Sequence, residues 1–139
     1  MLAFLHIPKC GGTTLLHVLR RNFGLRHLDL IARDRRGMLY RADEFRDVIR
    51  RQPHIASVAA HALRPASRLE RYADNVQYLT LLRNPVERFI SDFKHLGPPL
   101  ATTAEFRRWL DTSGDAEEAC NLQTRFLTGS DDLQVACQT

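Results

Sequence analysis

The residues best suited to chemistry lie in a short glycine-containing segment near the start of the chain, Lys9-Cys10-Gly11-Gly12-Thr13-Thr14. An apolar run precedes this segment and an apolar-periodic run follows it, so the pattern predicts a buried strand, a tight turn and a helix. The glycines let the backbone approach a ligand, and a helix start offers unpaired N–H groups to an anion. With two threonine hydroxyls and a lysine ammonium nearby, the segment predicts a phosphate-binding loop.

The order of residues in this loop differs from that of the common phosphate loop, in which Lys follows the second glycine. Here Lys9 precedes both glycines. The chain has only two lysines, Lys9 and Lys94, among its 20 basic residues. Because nearly all other basic residues are arginines, the lysine at position 9 indicates a specific role for a compact ammonium there. For the Gly-Gly-Thr sequence taken alone, an ordinary turn between a strand and a helix is the alternative.

A second segment with chemical potential follows the apolar run 76–82, which predicts another buried strand. Asn84 suits a helix N-cap and Pro85 suits the first helical turn. Arg83 would then lie at the carboxyl end of a strand, where open α/β sheets bind ligands. Ser91 would lie two turns into the following helix. Taken singly, Arg83 could equally form a surface salt bridge, and Ser91 could be an ordinary helix residue.

Together the two segments resemble the sulfotransferase superfamily. Residues 4–15 are similar to its 5′-phosphosulfate loop, and residues 79–93 are similar to its 3′-phosphate motif. The His-Ile-Pro-Lys lead-in resembles the branch that contains heparan-sulfate 2-O-sulfotransferases and bacterial carbohydrate sulfotransferases. Residues 121–127 also resemble a segment common in the bacterial members. Cys10 departs from the family pattern, in which Thr is usual, so one hydroxyl is replaced while the backbone N–H donor remains.

The resemblance implies in-line transfer of a sulfuryl group from 3′-phosphoadenosine-5′-phosphosulfate to a hydroxyl or amine, without a metal. It implies that the glycine loop holds the 5′-phosphosulfate, that Lys9 neutralises charge on the leaving oxygen, and that Arg83 and Ser91 hold the 3′-phosphate. A His after the middle strand is the usual base in the glycan branch. His61 is the candidate here, with Ala60 in place of the usual Gly, and a structural histidine is the alternative. The candidate donor-binding residues are Lys9, Cys10, Gly11, Gly12, Thr13, Thr14, Arg83 and Ser91, and the candidate catalytic residues are Lys9 and His61.

Length and composition fit one globular domain spanning residues 1–139, with 44% hydrophobic residues and a net charge of +4. The charge favours an anionic ligand. The cysteines Cys10, Cys120 and Cys137 lack metal-ligand spacing and are odd in number, which predicts a reducing compartment without disulfides or a zinc site. The apolar start lacks a basic leader and no apolar run reaches membrane-spanning length, so we expect a cytoplasmic protein without a membrane anchor.

Alternating apolar runs and helix signals predict an α/β fold, P-loop-like and three-layered, with a central parallel sheet flanked by helices. A basic irregular stretch up to Tyr40 and a Gly97-Pro98-Pro99 break interrupt the pattern. The predicted strands cover 2–7, 54–60 and 76–82, and the predicted helices cover 13–22, 44–51 (capped by Asp43), 67–73, 85–95, 104–111 and 116–128 (ended by Gly129).

Ten arginines between positions 20 and 51 form the most basic part of the chain. Acidic residues interleave with them, which favours solvated helix faces. A groove for a sulfated or carboxylated glycan is the alternative. No set of stacking aromatic residues accompanies the charge, so a nucleic-acid partner is not expected. The acceptor is expected to be a glycan or another hydroxyl compound.

Two further functions compete with sulfuryl transfer. Catalytic domains of the family are usually longer, so this chain could be a truncated product, a fragment or a domain completed by homodimerisation, binding the donor without transferring its sulfuryl group. A P-loop kinase or nucleotide hydrolase would need a carboxylate for Mg²⁺ at a strand end. Neither strand 54–60 nor strand 76–82 ends in one, which disfavours that class.

Overall fold

The protein is built around a four-stranded, all-parallel sheet with the strand order β2-β3-β1-β4. The computed structural model describes residues 1–30, 42–61, 63–71, 73–96 and 102–128. The strands are β1 (Leu2–Leu5), β2 (His27–Asp29), β3 (Ser57–Ala60) and β4 (Gln77–Thr80), and the helices are α1 (Gly12–Phe23), α2 (Ala42–Arg51), α3 (Pro85–Leu96), α4 (Thr103–Thr112), α5 (Gly114–Ala119) and α6 (Leu122–Thr128).

The central strand β1 is buried on both faces, which explains its continuous apolar sequence. It pairs with β3 on one side and with β4 on the other. Successive side chains of a strand point to opposite faces. Leu5 therefore packs in one core with Ile49 of α2, and Phe4 packs in a second core with Leu19 of α1. Helices thus cover both faces of a parallel sheet, and the predicted three-layer α/β fold is confirmed.

A smaller aromatic cluster joins α3, α4 and α5 beside the sheet. Its centre is Phe93 against Trp109, with ring centroids 5.2 Å apart. Next to it, the guanidinium of Arg88 is buried, donates to Asp92 Oδ2 at 2.5 Å, and donates to the carbonyl of Ala119 at 2.5 Å. This contact fixes the end of α5 against α3, and so sets where α6 can begin.

Two predicted helices were wrong in form. In place of the helix 67–73, the chain makes two 3₁₀ turns, Pro65–Ser67 and Leu69–Arg71, separated by Arg68 at φ 46°. In place of one helix over 116–128, α5 ends at Ala119 and α6 begins at Leu122. Asn121, at φ 49°, stands in the left-handed region between them, and a residue in that region interrupts a right-handed helix.

The strand β2 was not predicted, because residues 27–29 lie in the basic stretch that was expected to be irregular. The segment forms a strand because it pairs with β3. Leu30 N–H donates to the carbonyl of Ala59 at 2.8 Å, and Ala56 N–H donates to the carbonyl of Arg26 at 2.9 Å. The pairing, rather than an apolar pattern, makes this short segment a strand.

Most other boundaries lie within three residues of the predicted ones. The helix α2 begins at Ala42, so Asp43 lies in its first turn rather than at its N-cap. The arginines at 33–41, the break at 97–99 and the cap at Gly129 lie outside the described residues. Across the described part of the chain, none of the helices has the length and apolar character needed to cross a membrane.

Candidate active site

The turn between β1 and α1 has a backbone built for close approach to a ligand. Lys9 has φ 64° and Gly11 has φ 80°, both in the left-handed region. For a lysine this conformation costs roughly 1–2 kcal/mol, so the surrounding structure must impose it. The helix α1 begins with no side-chain cap at Gly11 and no acidic residue in its first turn. The positive end of α1 is therefore left open to an anion.

Gly12 lies directly against the ring of His6. A Cβ at position 12 would overlap this imidazole, so any residue other than glycine must displace the ring. The His6 ring is stacked between Phe4 and His61, with centroid distances of 5.3 and 4.1 Å. Burial, together with the neighbouring charge of His61 when protonated, lowers the pKa of His6 to about 4. His6 is thus a neutral core residue at physiological pH.

We expect Gly12→Ala to lower the free energy of unfolding by about 1–3 kcal/mol, since the new methyl group must displace a packed ring. Denaturant unfolding measures this loss. Gly114→Ala is the control, because a Cβ at Gly114 meets nothing within 4 Å. If the clash is the cause, removing the ring by His6→Ala must recover part of the loss in the double variant, and strictly additive losses would contradict it.

His61 follows β3 directly, as predicted, and its ring is held in one orientation. Its Nδ1 lies 2.6 Å from the carbonyl oxygen of His6. Because a carbonyl only accepts, Nδ1 carries the hydrogen, and Nε2 of the neutral ring keeps a free lone pair. The guanidinium of Arg64 donates to the carbonyl of His61 at 2.5 Å and lies 3.3 Å above the ring of Phe126. The turn that carries His61 is therefore held from both sides.

One cleft of about 480 Å³ brings the loop and this histidine together. Lys9 and Thr13 line it beside His61, and Thr14, the next residue, is exposed on α1. In the described part of the chain, no three His, Cys, Asp or Glu side chains are grouped to hold a metal ion. The remaining walls are formed by His6, Pro8, Asp92, His95, Leu96, Asp115, Ala119 and Leu122.

Arg83 extends from the end of β4 toward the same loop. Its Nη1 lies 3.4 Å from the carbonyl oxygen of Lys9, and its Nε lies 3.4 Å from Glu87 Oε2. The helix α3 that follows is capped as predicted, because Asn84 Oδ1 accepts from the N–H of Glu87 at 3.3 Å and from the preceding N–H at 3.0 Å. Ser91 lies one turn beyond Glu87, and the described contacts include no hydrogen bond between it and Arg83.

The side chain of Cys10 points away from the cleft. It is 7% exposed and packs with Ile7 and Phe126, and its thiol donates to Gln123 Oε1 at 3.4 Å. Burial raises the pKa of the Cys10 thiol. A ligand in the cleft would meet Cys10 only through its backbone N–H.

Two residues of this region had no role in the sequence-based prediction. Gln123 belongs to the segment 121–127, whose similarity to bacterial sulfotransferases was the available signal. Arg64, which holds the turn at His61, carried no signal in the sequence. Its desolvated guanidinium has a pKa lowered to about 10, a consequence of packing that no local pattern indicates.

A parallel sheet whose central strand leads through a glycine turn into an uncapped helix defines an α/β protein whose strand ends are suited to an anion. A model of the sulfotransferase family matches residues 1–128, nearly the whole chain. The chain therefore belongs to the sulfotransferase family and is a sulfotransferase enzyme. Searches of curated proteins and of solved structures each gave no match.

Proposed function

We propose that this sulfotransferase uses 3′-phosphoadenosine-5′-phosphosulfate and transfers its sulfuryl group to a hydroxyl of a carbohydrate-type acceptor. The observation that carries the proposal is the contact between Arg83 and the loop of Lys9 at the carboxyl ends of β4 and β1. Arg83 Nη1 lies 3.4 Å from the carbonyl oxygen of Lys9. The donor is anionic at its 5′ and 3′ positions. Two adjoining cationic sites at one edge of the sheet suit such a ligand.

The uncapped start of α1 supports the assignment of the 5′ group. The N–H groups from Gly12 onward and the hydroxyl of Thr13 would hold its oxygens, as helix starts hold anions elsewhere. Arg83 would grip the 3′-phosphate with its planar fork, and Ser91 would add a hydroxyl. The ion pair between Arg83 and Glu87 is exposed, so its exchange for a phosphate costs little.

The orientation of His61 supports its role as the base. Its free Nε2 would take the proton of the acceptor hydroxyl as the oxygen attacks sulfur in line with the leaving phosphate. Neutral His6 behind it does not repel the incoming proton. The ammonium of Lys9 would neutralise the charge that develops on the leaving oxygen.

The cleft walls support a polyhydroxylated acceptor. Asp92, His95 and Asp115 offer hydrogen-bonding groups, and Pro8 and Leu122 offer apolar surface for a sugar ring. Together with the His-Ile-Pro-Lys sequence before the glycines, this favours the branch that contains heparan-sulfate 2-O-sulfotransferases and bacterial carbohydrate sulfotransferases.

Calorimetry with adenosine 3′,5′-bisphosphate tests donor recognition. We expect Arg83→Ala to weaken its binding about tenfold to a hundredfold, since charge-assisted hydrogen bonds to the 3′-phosphate are lost. Adenosine 5′-monophosphate, which lacks that phosphate, should bind both proteins alike. Arg107→Ala, on the exposed surface of α4, is the matched control. Unchanged affinity of the Arg83 variant, or a wild-type preference for ATP with Mg²⁺, would overturn the assignment.

A further inference from the structure

Gln123, near the start of α6, makes hydrogen bonds to both segments that are proposed to bind the donor, the glycine loop after β1 and the segment at Arg83 after β4. Its Nε2 donates to the carbonyl of Arg83 at 2.9 Å, and its Oε1 accepts the backbone N–H of Arg83 at 2.8 Å. The same Oε1 accepts the thiol of Cys10 at 3.4 Å. One side-chain amide therefore joins Arg83, three residues beyond the end of β4, to the glycine loop after β1.

The paired contact with Arg83 resembles that of a neighbouring strand. Arg83 lies beyond the end of β4, and none of the strands in the described part of the chain pairs with its backbone. The amide of Gln123 satisfies both backbone groups, and thereby fixes the direction in which the exposed Arg83 side chain leaves the sheet. The contact with buried Cys10 fixes the loop relative to the same point.

The break between α5 and α6 makes these contacts geometrically feasible. Asn121, in the left-handed region, redirects the chain after Ala119, so that the first turn of α6 faces the loops. One turn later, Phe126 packs with Cys10, and the guanidinium of Arg64 lies over the Phe126 ring. The same guanidinium donates to the carbonyl of His61. A single short helix thus touches all three segments of the candidate active site.

We propose that Gln123 is a positioning residue that sets the separation between the 5′-phosphosulfate site and the 3′-phosphate site. The proposal rests on the proposed donor. Gln123 has no assigned contact with the donor itself. It acts through the backbone of Arg83 and the side chain of Cys10, so its loss should affect ligands that occupy both sites at once.

The first test compares two ligands by calorimetry on the full chain. In Gln123→Ala, binding of adenosine 3′,5′-bisphosphate should weaken about tenfold, because two hydrogen bonds that hold Arg83 are lost. Adenosine 5′-monophosphate should bind within about twofold of wild type, since it uses one site. Gln123→Glu, which keeps the oxygen that accepts from Arg83 N–H and loses the amide donor, should fall between. Thr124→Ala, the next position on α6, is the control.

The second test needs no nucleotide. With Cys120 and Cys137 replaced by serine, the reaction rate of Cys10 with iodoacetamide reports how firmly the loop is held. We expect Gln123→Ala to raise this rate about tenfold, because the thiol loses its partner and its cover. Thermal unfolding of each variant establishes that the protein measured is folded.

The outcomes separate this proposal from the proposed donor. Equal weakening of both nucleotides, or no weakening, would overturn the positioning role, since a merely structural residue changes both affinities alike. If wild type binds neither nucleotide, the donor assignment fails, and the reaction rate of Cys10 with iodoacetamide then tests the role of Gln123 by itself. A raised rate supports Gln123 as the residue that holds the two loops together, and an unchanged rate overturns it.

Discussion

Replacing His61 by alanine is expected to lower sulfuryl transfer about a hundredfold to ten-thousandfold while donor binding persists. The ring is exposed in the cleft, and its Nε2 carries the lone pair because Nδ1 donates to the His6 carbonyl. Its removal takes away the proposed proton acceptor and leaves the proposed phosphate sites intact. Steady-state turnover with a glycan acceptor, alongside calorimetry with adenosine 3′,5′-bisphosphate, measures both quantities.

His54→Ala is the matched control for this experiment, since His54 is exposed on the turn after α2 and lies outside the cleft. Added imidazole should restore part of the turnover of His61→Ala, because a small base can enter the space left by the ring. Turnover of His61→Ala equal to wild type would eliminate His61 as the base. Loss of donor binding in parallel with turnover would assign it a structural role.

Replacing Lys9 by alanine is expected to lower turnover about a hundredfold to a thousandfold, the loss typical of one charge-stabilising donor at a developing anion. Lys9 is the only lysine that lines the cleft among the described residues. In the proposed role its charge acts as the bond from sulfur to the leaving oxygen breaks, so kcat should fall more than donor affinity. Single-turnover rates with saturating donor measure this step directly.

The second lysine of the chain supplies the control for Lys9. Lys94 is exposed on α3, and Lys94→Ala should leave the single-turnover rate unchanged. The left-handed conformation at position 9 costs alanine about as much as it costs lysine. The substitution therefore adds no new backbone strain, and the loop should keep its shape. If Lys9→Ala raises KM for the donor and leaves kcat intact, the ammonium binds the ground state and does not stabilise the leaving group.

The glycine loop and the helix start at Asn84 could be predicted from the sequence because their signals are local. A Gly pair after an apolar run, and Asn before Pro, restrict the backbone wherever they occur. The position of Arg83 beside the loop followed from parallel topology, since the carboxyl ends of neighbouring strands meet at one edge. The break at Asn121 had no such signal, and its neighbours favoured a continuous helix.

The sequence by itself determined the sulfotransferase family of this chain, and it identified the candidate residues for two phosphates and the candidate histidine after the middle strand. Tertiary structure alone decided their geometry. Burial beside Phe4 keeps His6 neutral, the carbonyl of His6 selects the tautomer of His61, and Gln123 joins two loops that are 40 residues or more from it in sequence. Residue type fixes what a side chain can do, whereas packing between distant segments fixes its charge, its direction and its partners.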